Sequence, residues 1–96
     1  MSYVKPEEVR SPREYWTLIH VIIDQGEGQW ALALGEWEGV RRLGIRWNGT
    51  SEKPAGNPQS RGIATWFVLP VGFEETLMAI VPPDKVTLVK ALMNRS

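Results

Sequence analysis

A chain of 96 residues is one domain, just large enough to bury a single core without disulfides or metals to staple it. Apolar residues at 43% and charged residues at 23% are ordinary globular values, and eleven acids against eleven bases leave no net charge, which argues against a protein dedicated to a long polyanion. No cysteine is present and histidine occurs once, which excludes disulfides, thiolate metal sites, cysteine nucleophiles and any centre built on two imidazoles; no cofactor or metal is expected.

No N-terminal stretch has the basic-then-apolar pattern of a signal peptide, and no apolar run approaches the roughly 18 residues of a membrane helix. The expected location is the cytoplasm, with no membrane partner. Asn48-Gly49-Thr50 fits a glycosylation acceptor, but without a secretory signal it is better read as a turn.

Residues 1–13 hold two prolines and alternating charges, and read as an extended lead-in, ordered only if Tyr3 and Val4 dock on something. From Glu14 to Asp24 the run is β-branched and aromatic, and too evenly apolar for an amphipathic helix. It reads as a strand with Trp16, Leu18, His20 and Ile22 on one face and Tyr15, Thr17, Ile19, Val21 and Ile23 on the other. With apolar residues on both faces it is expected to be central in the sheet, or covered by helices on one side and a second chain on the other. Gln25-Gly26-Glu27-Gly28 is a turn by composition.

Gln29 to Asn48 reads as one antiparallel hairpin. A two-residue turn at Glu38-Gly39 sets Trp37 opposite Val40, and counting outward pairs Leu34 with Leu43, Leu32 with Ile45 and Trp30 with Trp47. On the other face Gly35, Ala33 and Ala31 oppose Arg42, Gly44 and Arg46. One face is then core, while the other carries arginines above a floor of small residues that leaves them reachable.

Residues 49–62, GTSEKPAGNPQSRG, have no aliphatic side chain larger than alanine, and a loop of this length in a small domain tends to be functional or mobile. Residues 62–69 form a further strand, closed by Pro70. Phe73, Leu77 and Ile80 fall at helical spacing behind Glu74 and Glu75, which predicts a short helix, with a strand over 76–81 as the rival reading. After Pro82-Pro83, Asp84 can cap a second helix with Val86, Val89 and Met93 on one stripe and Lys90 and Arg95 near its end.

The fold class is therefore α+β: an antiparallel meander of about four strands (14–24, 29–37, 40–48, 62–69) against one or two C-terminal helices, with a small SH3-like barrel as the alternative.

His20 is the natural start for any acid-base mechanism, but a lone histidine between Ile19 and Val21 in an apolar strand is more often packed than catalytic. Asp24 and Glu36 stand at no recognisable spacing from it. Glu36 with Glu38, and Glu74 with Glu75, are acid pairs that read as solvated surface. No phosphate-cradling or nucleophile-elbow motif occurs, so no catalytic residue is assigned. Five tryptophans need an account. Trp30, Trp47 and one of Trp16 or Trp66 read as core, whereas Trp37 beside the hairpin tip is positioned to stack a planar ligand or anchor an interface.

Between Gly39 and Gly62 the bases Arg41, Arg42, Arg46, Lys53 and Arg61 face one acid, Glu52. The candidate binding set is Arg42, Arg46 and Trp37, with Arg61, Lys53 and Asn57 from the adjoining loop. A floor of small residues favours close approach by a partner over a merely solvated face.

The strings LGIRWNG (Leu43 to Gly49) and SRGIATWFVLP (Ser60 to Pro70) resemble small bacterial proteins carried on mobile DNA, of the integron gene cassette kind. The resemblance covers under a fifth of the chain. It implies a bacterial accessory role and a compact, frequently oligomeric fold, and it transfers no site residue. The expected function is a binding module acting through the Arg/Trp face on a protein partner or a second copy. Alternatives are nucleic-acid binding through the same face, which would weaken steeply with salt, and a small-molecule enzyme using His20 and a carboxylate.

Overall fold

The computed structural model describes residues 3–70 and 72–93. Three long strands, β1 (Trp16–Asp24), β2 (Trp30–Trp37) and β3 (Val40–Trp47), form a meander. Two short strands, β4 (Gln59–Ser60) and β5 (Ile63–Ala64), make a separate ribbon, and β6 (Phe67–Val68) returns to the main sheet. That sheet is antiparallel throughout, in the order β1-β2-β3-β6, and does not close into a barrel. Helix α1 (Glu74–Met78) and helix α2 (Pro83–Met93) follow. Among the described residues no helix is long and apolar enough to cross a membrane.

The β2–β3 register is the expected one at every position, from Trp30 opposite Trp47 to Trp37 opposite Val40. Its cause is the turn: Glu38 and Gly39 both take positive φ, 52° and 84°, the backbone a tight two-residue hairpin needs to follow the strand twist. Leu32, Leu34 and Leu43 consequently share one face with 0% exposure, each contributing roughly 2–3 kcal/mol by burial. They meet Ile22, Ile23, Leu69, Val81 and Val89, the last from α2.

Several expectations are corrected. Strand β1 is not central but forms one edge of the sheet. Its alternation breaks at register shifts between Leu18 and His20 and between Val21 and Ile23, so Trp16 belongs to one core while the neighbours Ile22 and Ile23 both enter the other. Such bulges bend an edge strand away from further pairing, and Lys85 Nζ also donates to the outlying Ile22 carbonyl at 2.8 Å. The strand expected over 62–69 is two short pieces interrupted at Thr65 and Trp66. Residues 74–78 are helical, so the strand reading of 76–81 falls. Phe73 and Ile80 on the expected helical stripe are 49% and 48% exposed, and only Leu77 of that trio packs on the core. Asp84 lies inside the first turn of α2, which starts at Pro83, so it does not precede the helix as a cap. Arg95 lies outside the described residues.

The larger surprise is the second face of the sheet, which is also covered. The lead-in runs across it, with Val4 packed there and Val9 1% exposed, around a 3-10 turn at Pro6–Glu8. Trp16 and Trp66 lie on Ala31 and Ala33 with rings 6.5 Å apart. A Cβ on Gly35 would overlap the Trp16 ring, and one on Gly44 would come within 3.3 Å of it. The small residues are the seat of two indoles.

Candidate functional site

The six candidate residues do not form one surface. Arg46, expected to face solvent, is 3% exposed. Its Nη1 donates to the Thr65 carbonyl and, at 3.3 Å, to that of Pro58, while Nη2 donates to the Ala55 carbonyl. Burial pushes its pKa below the ordinary arginine value, and its Nε has no hydrogen-bond partner. The cause can be traced to the loop composition. Pro54 and Pro58 have no N–H, so the segment carries more carbonyls than donors, and the guanidinium fork reaches two of them, Ala55 and Pro58, together with that of Thr65 just beyond the segment. Arg46 is a structural spoke.

That spoke explains why the 49–62 segment is ordered. Trp47 and Asn57 exchange two backbone hydrogen bonds of 2.7 and 3.0 Å, Val4 N–H donates to the Pro54 carbonyl at 3.0 Å, and Gly28 N–H donates to that of Gly49 at 3.0 Å. Asn48, 3% exposed, donates from Nδ2 to Asp24 Oδ1 at 2.9 Å and to the Gly26 carbonyl at 2.8 Å, joining the first turn to the end of β3. The turn reading of Asn48 thus has a mechanism, and the loop is a packed layer instead of a flexible binding arm.

Lys53 and Arg61 are exposed on turns of that layer, Arg61 at the β4–β5 reversal with φ 53°. Neither lines the cavity that holds the remaining pair. Trp37 and Arg42, on one face as expected, border a hollow of about 650 Å3 with Pro12, Val40, Trp66 and Val68. Asn57, also exposed, borders a different one. His20 sits opposite Leu34 with Nε2 buried and without a hydrogen-bond partner. The carboxylates considered for it are engaged elsewhere: Asp24 with Asn48 and Gly26, and Glu36 with Arg41 at 3.8 Å.

Compared with protein-family models, curated proteins and solved structures, the chain matches none.

The feature that sequence reasoning missed is an apolar groove of about 610 Å3 where β3, β6 and the end of α1 meet. Trp30, Ile45 and Leu77 form its walls, and Trp47, Phe67 and Ile80 its rim. Those three rim residues are 56%, 54% and 48% exposed. Trp47 was expected in the core, because its pairing with Trp30 places it on the core side of the sheet. The reason is visible only in the topology: β6 spans two residues and pairs no further than Ile45, and beyond it β3 is met by the single Asn57 bridge at Trp47, which leaves the Trp47 indole 56% exposed. Within the sequence, the signal was a surplus of large apolar residues, two of them (Phe67, Ile80) in segments too short to bury both their faces.

Proposed function

We propose that the protein is a cytoplasmic, non-enzymatic binding module whose working surface is the groove beneath Trp47 and Phe67, and that its partner is a second copy of the chain. The supporting observation is the rim itself. Three large apolar side chains, each about half exposed, surround a hollow that is itself apolar. Together they present on the order of 350 Å2 of apolar surface, within the range of the functional patches found on soluble proteins. That is roughly half of what one partner contributes to a standard interface before its polar surround is counted. An isologous contact needs knob and hole on the same patch, and here protruding aromatics stand beside a concavity. Zero net charge adds no repulsion between identical copies.

The reading keeps the self-association expected from the sequence but moves it from the arginine face to the aromatic end of the sheet. It does not draw on the cassette-protein resemblance. Sedimentation velocity over a wide concentration range tests it. Wild-type protein should shift from monomer to dimer, and a Trp47→Ser, Phe67→Ser double variant, checked as folded by circular dichroism and expected to melt lower because each side chain is about half buried, should stay monomeric. A wild-type chain that stays monomeric to about 1 mM, where even a −4 kcal/mol association would be visible, overturns it.

A further inference from the structure

On the opposite face of the β2–β3 hairpin, we propose that the hollow between Trp37 and Arg42 is a binding site for a small aromatic carboxylate. It shares Phe67 with the groove described above but otherwise uses different residues, and it stands or falls independently of self-association. Its volume, about 650 Å3, is that of a small-molecule site, and indole, proline and valine side chains make up most of its walls.

Two features define the chemistry. Trp37 is half-buried and packs at a tilt against Tyr15, whose ring centroid lies 5.5 Å away at 48°, so the indole offers an apolar plane. Arg42 is also half-buried, yet it makes one long hydrogen bond, Nη1 to the Arg41 carbonyl at 3.3 Å, and among the described residues no carboxylate pairs with it. Its neighbour Arg41 has Glu36, and Arg46 has three carbonyls; Arg42 stands between this hollow and a second one that it shares with Arg41, Glu74 and Glu75, forms an ion pair with neither acid, and keeps its fork largely unused. A guanidinium in that position matches a carboxylate in geometry as well as in charge, and the adjoining indole selects an attached ring. Glu38 lines the same hollow. One guanidinium with one carboxylate gives no net positive field for a nucleic-acid backbone, so the site suits a single small anion whose charge reaches Arg42.

Indole-3-acetate and indole-3-acetamide share a ring and differ in charge, which makes them a matched pair of probes. Titration of the full chain with each, followed by calorimetry and by the five indole N–H resonances in heteronuclear spectra, should show the acetate binding about tenfold or more tightly than the amide, with the Trp37 resonance moving most. Arg42→Gln should bring both probes to the amide's affinity, Arg42→Lys should restore part of the discrimination, and Trp37→Leu should weaken both probes together. Equal binding of the two probes to the wild type, discrimination that survives in Arg42→Gln, shifts centred on Trp47, or no saturation by the acetate up to about 10 mM would each overturn the proposal. Should Arg42→Gln fail to fold, the wild-type comparison and the resonance map decide the matter alone.

Discussion

Replacing Arg46 separates a structural role from a binding role more sharply than any other change. Methionine at this position keeps an unbranched apolar stem and removes the fork, leaving the carbonyls of Ala55 and Thr65 without their donor, while that of Pro58 keeps the Thr65 N–H at 3.1 Å. Hydrogen bonds from a charged donor contribute about 1.5–3 kcal/mol each. A large part of that sum is offset, because the methionine variant no longer holds a cation away from water. The expected net loss is about 2–4 kcal/mol, which for a domain of this size lowers the melting temperature by roughly 10–30 °C. Arg46→Lys keeps the charge but presents a point donor in place of a planar fork, so it should fall between the two. Urea unfolding monitored by tryptophan fluorescence reads the stability. Amide exchange at Asn57, whose N–H is bonded to the Trp47 carbonyl at 3.0 Å, reads whether the loss is centred on the loop layer. An Arg46→Met protein within about 0.5 kcal/mol of wild type would refute the argument and return Arg46 to the exposed, ligand-seeking role expected from sequence.

Three further changes probe the same architecture. Gly35→Ala drives a methyl group into the Trp16 ring and should cost roughly 1–3 kcal/mol, whereas Gly44→Ala, whose methyl would meet Trp16 at 3.3 Å, should cost less; thermal unfolding of the pair checks the order, and equal stabilities would remove the indole-seat explanation. Asn48→Ala breaks two bonds in a buried site and should lower stability by about 1–3 kcal/mol, with Asn48→Asp lower still at neutral pH because it sets a second carboxylate against Asp24; a neutral Asn48→Asp result in denaturant titration contradicts this. Trp66→Phe loses the 2.8 Å bond from Nε1 to the Val9 carbonyl, and about 1–2 kcal/mol with it, and should release the N-terminal strap first, visible as early proteolysis before residue 10.

How much of this was legible differs between levels for physical reasons. The hairpin register could be counted because a side-chain period of two and a Glu38-Gly39 turn leave a single consistent alignment. The α+β class followed from strand-like runs succeeded by helical spacing. What the sequence concealed was which element covers which face, since that depends on contacts between residues as distant as Val9 and Trp66. Small residues opposite arginines looked like an open floor, yet the same pattern is what two indoles require beneath them. In retrospect Trp16 and Trp66, together with four small residues on one face of the hairpin (Ala31, Ala33, Gly35, Gly44), were a volume match that could have been read. The burial of Arg46 could likewise have been inferred from a proline-containing loop short of donors. The bulges in β1 had no comparable signal, and with them the edge position of that strand was lost.

The energetics of the aromatic end set the strength at which self-association should be sought. If two copies each cover about 350 Å2 of apolar rim, the gross gain at about 25 cal/mol per Å2 is roughly 17 kcal/mol. Lost translational and rotational freedom takes back about 4–15 kcal/mol, and immobilising Trp47 and Phe67 takes back about 1 kcal/mol for each side chain. For a cost in the lower part of that range, about 5–9 kcal/mol, the surplus is about 4–8 kcal/mol, which places the dissociation constant between micromolar and millimolar. Such a dimer dissociates on dilution, so the rim must tolerate water for part of the time. This fits its position at the end of the sheet, where the folded monomer already leaves these side chains half solvated while its two cores stay closed. Light scattering at a single low concentration would report a monomer. The discriminating measurement is the concentration dependence, and a flat molecular weight from about 1 μM to 1 mM would mean the rim faces something other than itself.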